Sequence, residues 1–221
     1  MSSARLEMVV KGQRQTALST TPRLAGPAIL DNGLFMEEND MRSFELPDHW
    51  IPCYLVTLAL APQLAKRFLF KTGRERETVL EGGSCDVLAP QEVRNFRFEG
   101  EARSIILSIE PEVLQSMISS PRDRNAFELI RLWHGTDPIL RDLLIKLRSE
   151  VQSGQPTGPL LAEDICTQLA GELIQRYSIG KLKLDQYKGG LPGTKVKQVS
   201  DYIGNLCTSL QSASYLNKLE A

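Results

Sequence analysis

Side chains able to do chemistry are few in this sequence, and they are scattered. There are two histidines, His49 and His134. His49 sits in Leu46-Pro-Asp-His-Trp50, just ahead of an apolar run that begins at Tyr54, and His134 sits in Trp133-His-Gly135, expected as a loop before a helix. A catalytic metal needs three or four His, Cys or carboxylate donors converging on one point. With no H-x-H and no second His in the first half, a three-His site cannot be assembled. Cys53, Cys85, Cys166 and Cys207 contain no C-x-x-C pair, so structural zinc is not expected. Gly82-Gly-Ser84-Cys85 lacks the final Gly of a G-x-S-x-G nucleophile elbow. Cys85 and His49 can be drawn as a thiol–imidazole pair, but a buried structural thiol is the better reading. No G-x-G-x-x-G or phosphate loop occurs. The expectation is a chain with no catalytic residues, metal or cofactor, and so not an enzyme.

The elements that would position any site fall into two halves. The chain has 221 residues, 42% hydrophobic and 24% charged, as in an ordinary folded protein of one large domain or one domain with an appendage. Residues 1–26 are polar and non-periodic, and predict a loosely ordered start. From Gly33 to Ile109 short apolar runs alternate with turn residues, the spacing of an antiparallel sandwich or barrel. The predicted strands are Leu34–Glu38, Tyr54–Leu60, Lys66–Lys71, Thr78–Leu80, Cys85–Leu88, Val93–Phe98 and Ala102–Ile109. Alternation places Phe96 and Phe98 on one face, and likewise Phe68 and Phe70.

After Pro111 the period changes. Leu140, Leu143, Leu144, Leu147 and Val151 mark one amphipathic helix. Leu161, Ile165, Leu169 and Leu173, widened by Leu160, Cys166 and Ala170, mark a second beyond the breaker at 153–159. A short connection predicts that the two pack as an antiparallel hairpin, with the wide second stripe also available to a partner subunit. Thr194 can cap a third helix carrying Val196, Val199, Ile203 and Leu206, and a further helix begins near Ser214.

The formal charge of −1 hides an uneven distribution. Between Ile179 and Val199 stand Lys181, Lys183, Lys188, Lys195 and Lys197 against Asp185 alone, a local net of +4 that leaves −5 for the remainder. Such a junction suits a solvated linker or contact with an anion. There is no secretory h-region at the start, and no apolar stretch is long enough to span a bilayer. A cytoplasmic location without membrane attachment is expected.

The segment Gly189-Gly-Leu-Pro-Gly-Thr-Lys-Val-Lys-Gln-Val-Ser-Asp-Tyr-Ile203, with Asn205-Leu206 and Ser209-Leu210, resembles the entry into the DNA-binding domain of the AraC/XylS family of bacterial regulators. Leu46-Pro-Asp-His49, Glu81-Gly-Gly-Ser-Cys-Asp-Val-Leu-Ala-Pro90 and the Leu161–Tyr177 helix are similar to parts of that family's sensor domain. The resemblance implies an α+β chain: an antiparallel cupin-like β-barrel or sandwich, then a helical hairpin, then the first helices of a truncated helix-turn-helix domain. It divides the chain into a start at 1–26, a sensor and dimerisation domain at 27–178, a basic linker at 179–193 and the opening of the DNA-binding domain at 194–221. It implies a homodimer, an unidentified small-molecule effector, and DNA as partner of an intact homologue, with sequence-specific DNA binding lost here. His49, Trp50 and Tyr54 are the candidate ligand contacts, and Lys195 and Lys197 the candidate DNA-proximal residues. The alternatives are a metal-free cupin-like binding protein or enzyme, or a dominant-negative partner of an intact regulator.

Overall fold

A computed structural model describes residues 5–18, 20–26, 33–60, 63–66, 69–70, 77–94, 96–154 and 159–179. The chain divides into two compact units, Met1–Asp185 and Gln186–Ala221. The second unit lies outside the described residues, and with it the predicted helices after Thr194, the DNA-proximal candidates Lys195 and Lys197, and the segment carrying the resemblance to a DNA-binding domain.

Fifteen strands are described: β1 (Glu7–Val10), β2 (Gln13–Thr16), β3 (Leu24–Ala25), β4 (Leu34–Met41), β5 (Phe44–Leu46), β6 (His49–Ile51), β7 (Tyr54–Ala59), β8 (Gln63–Lys66), β9 (Leu69–Phe70), β10 (Glu77–Leu80), β11 (Cys85–Leu88), β12 (Gln91–Arg94), β13 (Phe96–Phe98), β14 (Ala102–Ile109) and β15 (Leu132–Gly135). Each of the pairs β5–β6, β8–β9 and β12–β13 occupies a single strand position. This gives eight positions between β4 and β14, whose antiparallel pairings run 6-3-8-1 in one sheet (β11-β7-β14-β4) and 2-7-4-5 in the other. That order is a jelly roll, the antiparallel sandwich to which cupins belong. β3 and β15 extend the first sheet at its two edges, and β1–β2 adds to the second sheet through Val9 opposite Trp50.

Two sequence expectations are corrected here. The polar opening is not loosely ordered throughout: residues 7–16 form a hairpin turning at Lys11 (φ 49°) and Gly12 (φ 81°), the left-handed pair required by a two-residue turn that matches strand twist. His134 lies not in a loop but in β15, which pairs with β11.

The other face of the first sheet carries the helices α1 (Pro111–Ser116), α2 (Pro121–Asn125), α3 (Pro138–Gln152) and α4 (Pro159–Tyr177). Leu140, Leu143, Leu144 and Leu147 of α3 and Ile165, Cys166, Leu169, Ala170 and Leu173 of α4 are buried, with α3 and α4 in contact. Each such leucine removed from water contributes about 1.5–3 kcal/mol. Leu160 and Leu161, read as part of the α4 stripe, are both 42% exposed; the buried face starts at Ala162.

Two buried carboxylates tie these layers together. Glu38 on β4 accepts from Arg148 Nε on α3 and from Arg103 Nε on β14, both at 2.6 Å. Asp137 caps α3, accepting from the Ile139 and Leu140 amides at 3.0 and 3.1 Å. It also holds the end of α4, through Arg176 Nη1 at 2.8 Å and the Tyr177 hydroxyl.

Candidate functional site

Strands of the first sheet are buried on both faces, so their alternation sorts side chains between two interiors. On β7, Tyr54, Val56 and Leu58 join the core beneath the helices, while Leu55, Thr57 and Ala59 face the second sheet. On β11, Cys85 and Val87 go to the helices while Asp86 and Leu88 go to the second sheet. Between the sheets lies a cavity of about 150 Å³. Phe44, Phe96 and Phe98 form one aromatic wall, with ring centroids 5.5 and 5.7 Å from Phe44. Leu6, Met8 and Leu18, carried by the N-terminal hairpin and its flanks, form another wall.

The polar groups lining this cavity are few. His49 is 6% exposed, and its Nδ1 lies 2.7 Å from the Pro47 carbonyl oxygen. A carbonyl can only accept, so Nδ1 is the donor, and a neutral ring leaves Nε2 as an acceptor. Asp86 accepts from Thr57 Oγ1 at 3.0 Å, which fixes that carboxylate on the cavity wall. Ser84, Ser104 and the Trp133 indole complete the polar lining; Glu7 borders the cavity, but its half-exposed carboxylate pairs with Arg14. Among the described lining residues there is no Lys or Arg. The arrangement offers a hydrogen-bonding ring at His49 while surrounding the rest of a guest with apolar surface.

Of the sequence candidates, His49 lines this cavity. Trp50 does not: its neighbours His49 and Ile51 point inward, and its own side chain is 45% exposed. Tyr54 belongs to the helix-side core, packed on Phe127 with centroids 5.9 Å apart. Cys85 and His49 do not meet either, because Cys85 faces the helices. Burial, with the nearby Asp137 charge, pushes the Cys85 thiol up to about 11; burial, with Glu110, takes Cys53 to about 12. Neither is poised as a thiolate nucleophile. Sequence reasoning missed Thr57, Asp86 and Trp133; the legible signal for the first two was a lone polar residue inside the apolar runs Tyr54–Ala59 and Cys85–Leu88.

No family model matches the chain. No curated protein matches it either. Among solved structures, it is similar to a cupin-2 domain protein from Shewanella frigidimarina, with 17% identity over 41% of this chain and 80% of that one, at a TM-score of 0.30. An oxalate oxidase bound to the substrate analogue glycolate shows 16% identity over 63% and 64% of the two chains, at a TM-score of 0.30. A candidate mannose-6-phosphate isomerase from Ralstonia eutropha shows 10% over 39% and 83%, at 0.28. The chain spans 56% of the EutQ protein of Clostridium difficile, which it also matches. At these scores the likenesses carry no argument about this chain, and its jelly-roll assignment stands on strand order. The expectation that the chain is not an enzyme is nevertheless corrected: enzymes stand among the structures it matches, and the fold is no ground for excluding catalysis.

Cupins that hold a metal do so with several histidines and a carboxylate pointing into the barrel. Among the described residues one histidine lines the cavity, and no group of three His, Cys, Asp or Glu stands close enough to hold an ion. The described residues do not fit a His-rich metal centre.

Proposed function

We propose that this chain is a cupin-like small-molecule-binding protein whose ligand lies between the two sheets. The observation that carries this reading is the cavity itself: about 150 Å³, mostly apolar, with the buried His49 ring, fixed by the Pro47 carbonyl, on its wall. An apolar cavity of roughly that size accommodates a benzene-sized molecule. The sequence has two tryptophans, so Trp50→Phe leaves Trp133 as the sole indole, at the cavity wall. Benzene titrated into that protein should change Trp133 emission saturably, and Ala59→Leu, which fills part of the space, should abolish the response. A linear, unsaturable change unaffected by Ala59→Leu would overturn the reading.

A second reading makes this module the sensor and dimerisation part of a ligand-responsive transcription regulator, a homodimer whose intact homologues meet DNA. What supports it is the resemblance of residues 189–210 to the AraC/XylS family, together with the Glu38–Arg148 tie, a direct mechanical link from the barrel to α3. Light scattering with and without the cavity ligand tests it: the reading expects a dimer whose stability depends on ligand, and a ligand-independent monomer would remove it.

A further inference from the structure

One short segment, residues 128–137, touches both the cavity and the end of α4. Its beginning runs antiparallel to the chain leaving that helix. The Ile130 amide donates to the Tyr177 carbonyl at 2.5 Å, the Ile179 amide donates to the Glu128 carbonyl at 2.9 Å, and Leu129 bridges Ser178 between them. Its last residue, Asp137, accepts from Arg176 Nη1 at 2.8 Å and from the Tyr177 hydroxyl. The end of α4 is therefore gripped twice, through backbone at one end of the segment and through side chains at the other. Between the grips lies β15. Val87 stands opposite Leu132 and Cys85 opposite Gly135, so two steps along β11 match three along β15, and the extra residue makes a bulge. Leu132 packs on the core beneath the helices, while Trp133, next to it in the bulge, lines the cavity. The bulge is tightly closed: a Cβ on Gly135 would stand 2.3 Å from Leu132 Cδ1, so the Leu132 side chain fills the place where another residue would carry its own. Displacing the Trp133 indole moves this bulge, and the bulge is bonded at both ends to the close of α4.

We propose that residues 128–137 act as a strap that couples occupancy of the cavity to the end of α4: a guest packed on Trp133 holds the bulge in place, and the strap in turn holds residues 176–178. This rests on the cavity being a ligand site and assigns that site a conformational output. Opening the strap takes Trp133 out of the cavity wall, so the guest binds only the closed form. Such a guest suppresses opening by a factor that grows with its concentration over its dissociation constant. The first half of α4 supplies an internal reference, because Ala162, Ile165 and Cys166 are buried in the same core but lie far along the helix from Arg176 and Tyr177.

Amide hydrogen exchange on the full chain, read by mass spectrometry with benzene as the probe, tests the coupling. With benzene at about ten times its dissociation constant, exchange should slow about tenfold at residues 174–179 and 128–132 and change little at 160–166. Trp133→Leu, measured without ligand, should speed exchange at 174–179 by at least about fivefold relative to 160–166, the low end of ordinary coupling between sites. Benzene binding is followed separately by Trp133 emission in the Trp50→Phe protein. If that emission saturates while exchange slows equally in both halves of α4, or in neither, the strap is wrong and the site survives. If Trp133→Leu speeds both halves equally, or neither, the strap is likewise wrong. If benzene does not bind, the site itself fails and the coupling falls with it. Should Trp133→Leu not fold, the benzene comparison on the unaltered chain decides alone.

Discussion

Arg148, on the helix layer, holds Glu38, on the sheet, with Nε 2.6 Å from Oε2, across 110 positions of sequence. Burial alone would raise the Glu38 carboxyl, but hydrogen bonds and charge from Arg148 and Arg103 outweigh it and hold the group below its ordinary value of 4.5. Arg148→Met strips two donated hydrogen bonds from the Glu38 side chain, which is 2% exposed. Leaving a buried acceptor short of a partner costs about 1–3 kcal/mol, which urea unfolding at pH 7 should register. A depressed carboxyl stabilises the fold above its unfolded value and loses that contribution as pH falls through the folded one. The variant should therefore lose less stability than the parent on acidification below about pH 4.5. Parallel pH–stability curves for the two proteins would refute this.

Asp137 joins the start of α3 to the end of α4. Burial pushes its carboxyl up, but the Tyr177 hydroxyl, the Leu140 amide and Arg176 together carry it below its ordinary 3.8. Asp137→Ala removes a helix cap and an ion-pair partner at once and should cost about 1–3 kcal/mol. Circular dichroism in urea measures it, and a change under about 0.5 kcal/mol, the range of ordinary surface substitutions, would mean the junction is held by apolar packing alone.

Tyr177 gives the opposite pH signature. Burial first, then the Asp137 hydrogen bond and charge, raise its hydroxyl well above the ordinary 10.0. The native state thus keeps a proton that the unfolded chain releases, so stability is fully present below about pH 10 and declines above it. Tyr177→Phe should be less stable at pH 7 and show a flatter decline between pH 10 and 11.

Burial holds Cys53 and Cys166 near 12 and Cys85 near 11, with nearby carboxylates adding to each shift. At pH 8 a thiol-reactive disulfide reagent should label at most Cys207 quickly in the native protein, and all four thiols once urea is added. Rapid native labelling of two or more would show that the core opens far more often than its packing implies.

The amphipathic faces were legible because their period is unambiguous. Leu140, Leu143, Leu144 and Leu147 repeat at helical steps and are buried, and Phe96 and Phe98, two apart, share the cavity wall. The inner strands were harder, because a run apolar on both faces does not say which face meets the helices. That is how Tyr54 could be taken for a ligand contact. Trp50 misled for another reason: on a three-residue strand, pairing decides the face, and Val93 opposite His49 turns the imidazole inward and the larger indole outward. The hairpin at 7–16 was hidden by its polar second strand, although Lys11-Gly12 between two extended runs was its turn signal.

In the first sheet, β14 pairs with β4 on one side and β7 on the other, although it comes last of the eight jelly-roll positions. During synthesis, therefore, Leu34–Met41 and Tyr54–Ala59 leave the ribosome with their shared neighbour not yet made. Both present open strand edges until Ala102–Ile109 emerges, and Tyr54–Ala59 is rich in apolar residues that favour intermolecular pairing. The protein's exposure to aggregation is thus concentrated in that interval of translation, and slowing elongation before Ala102 would lengthen it.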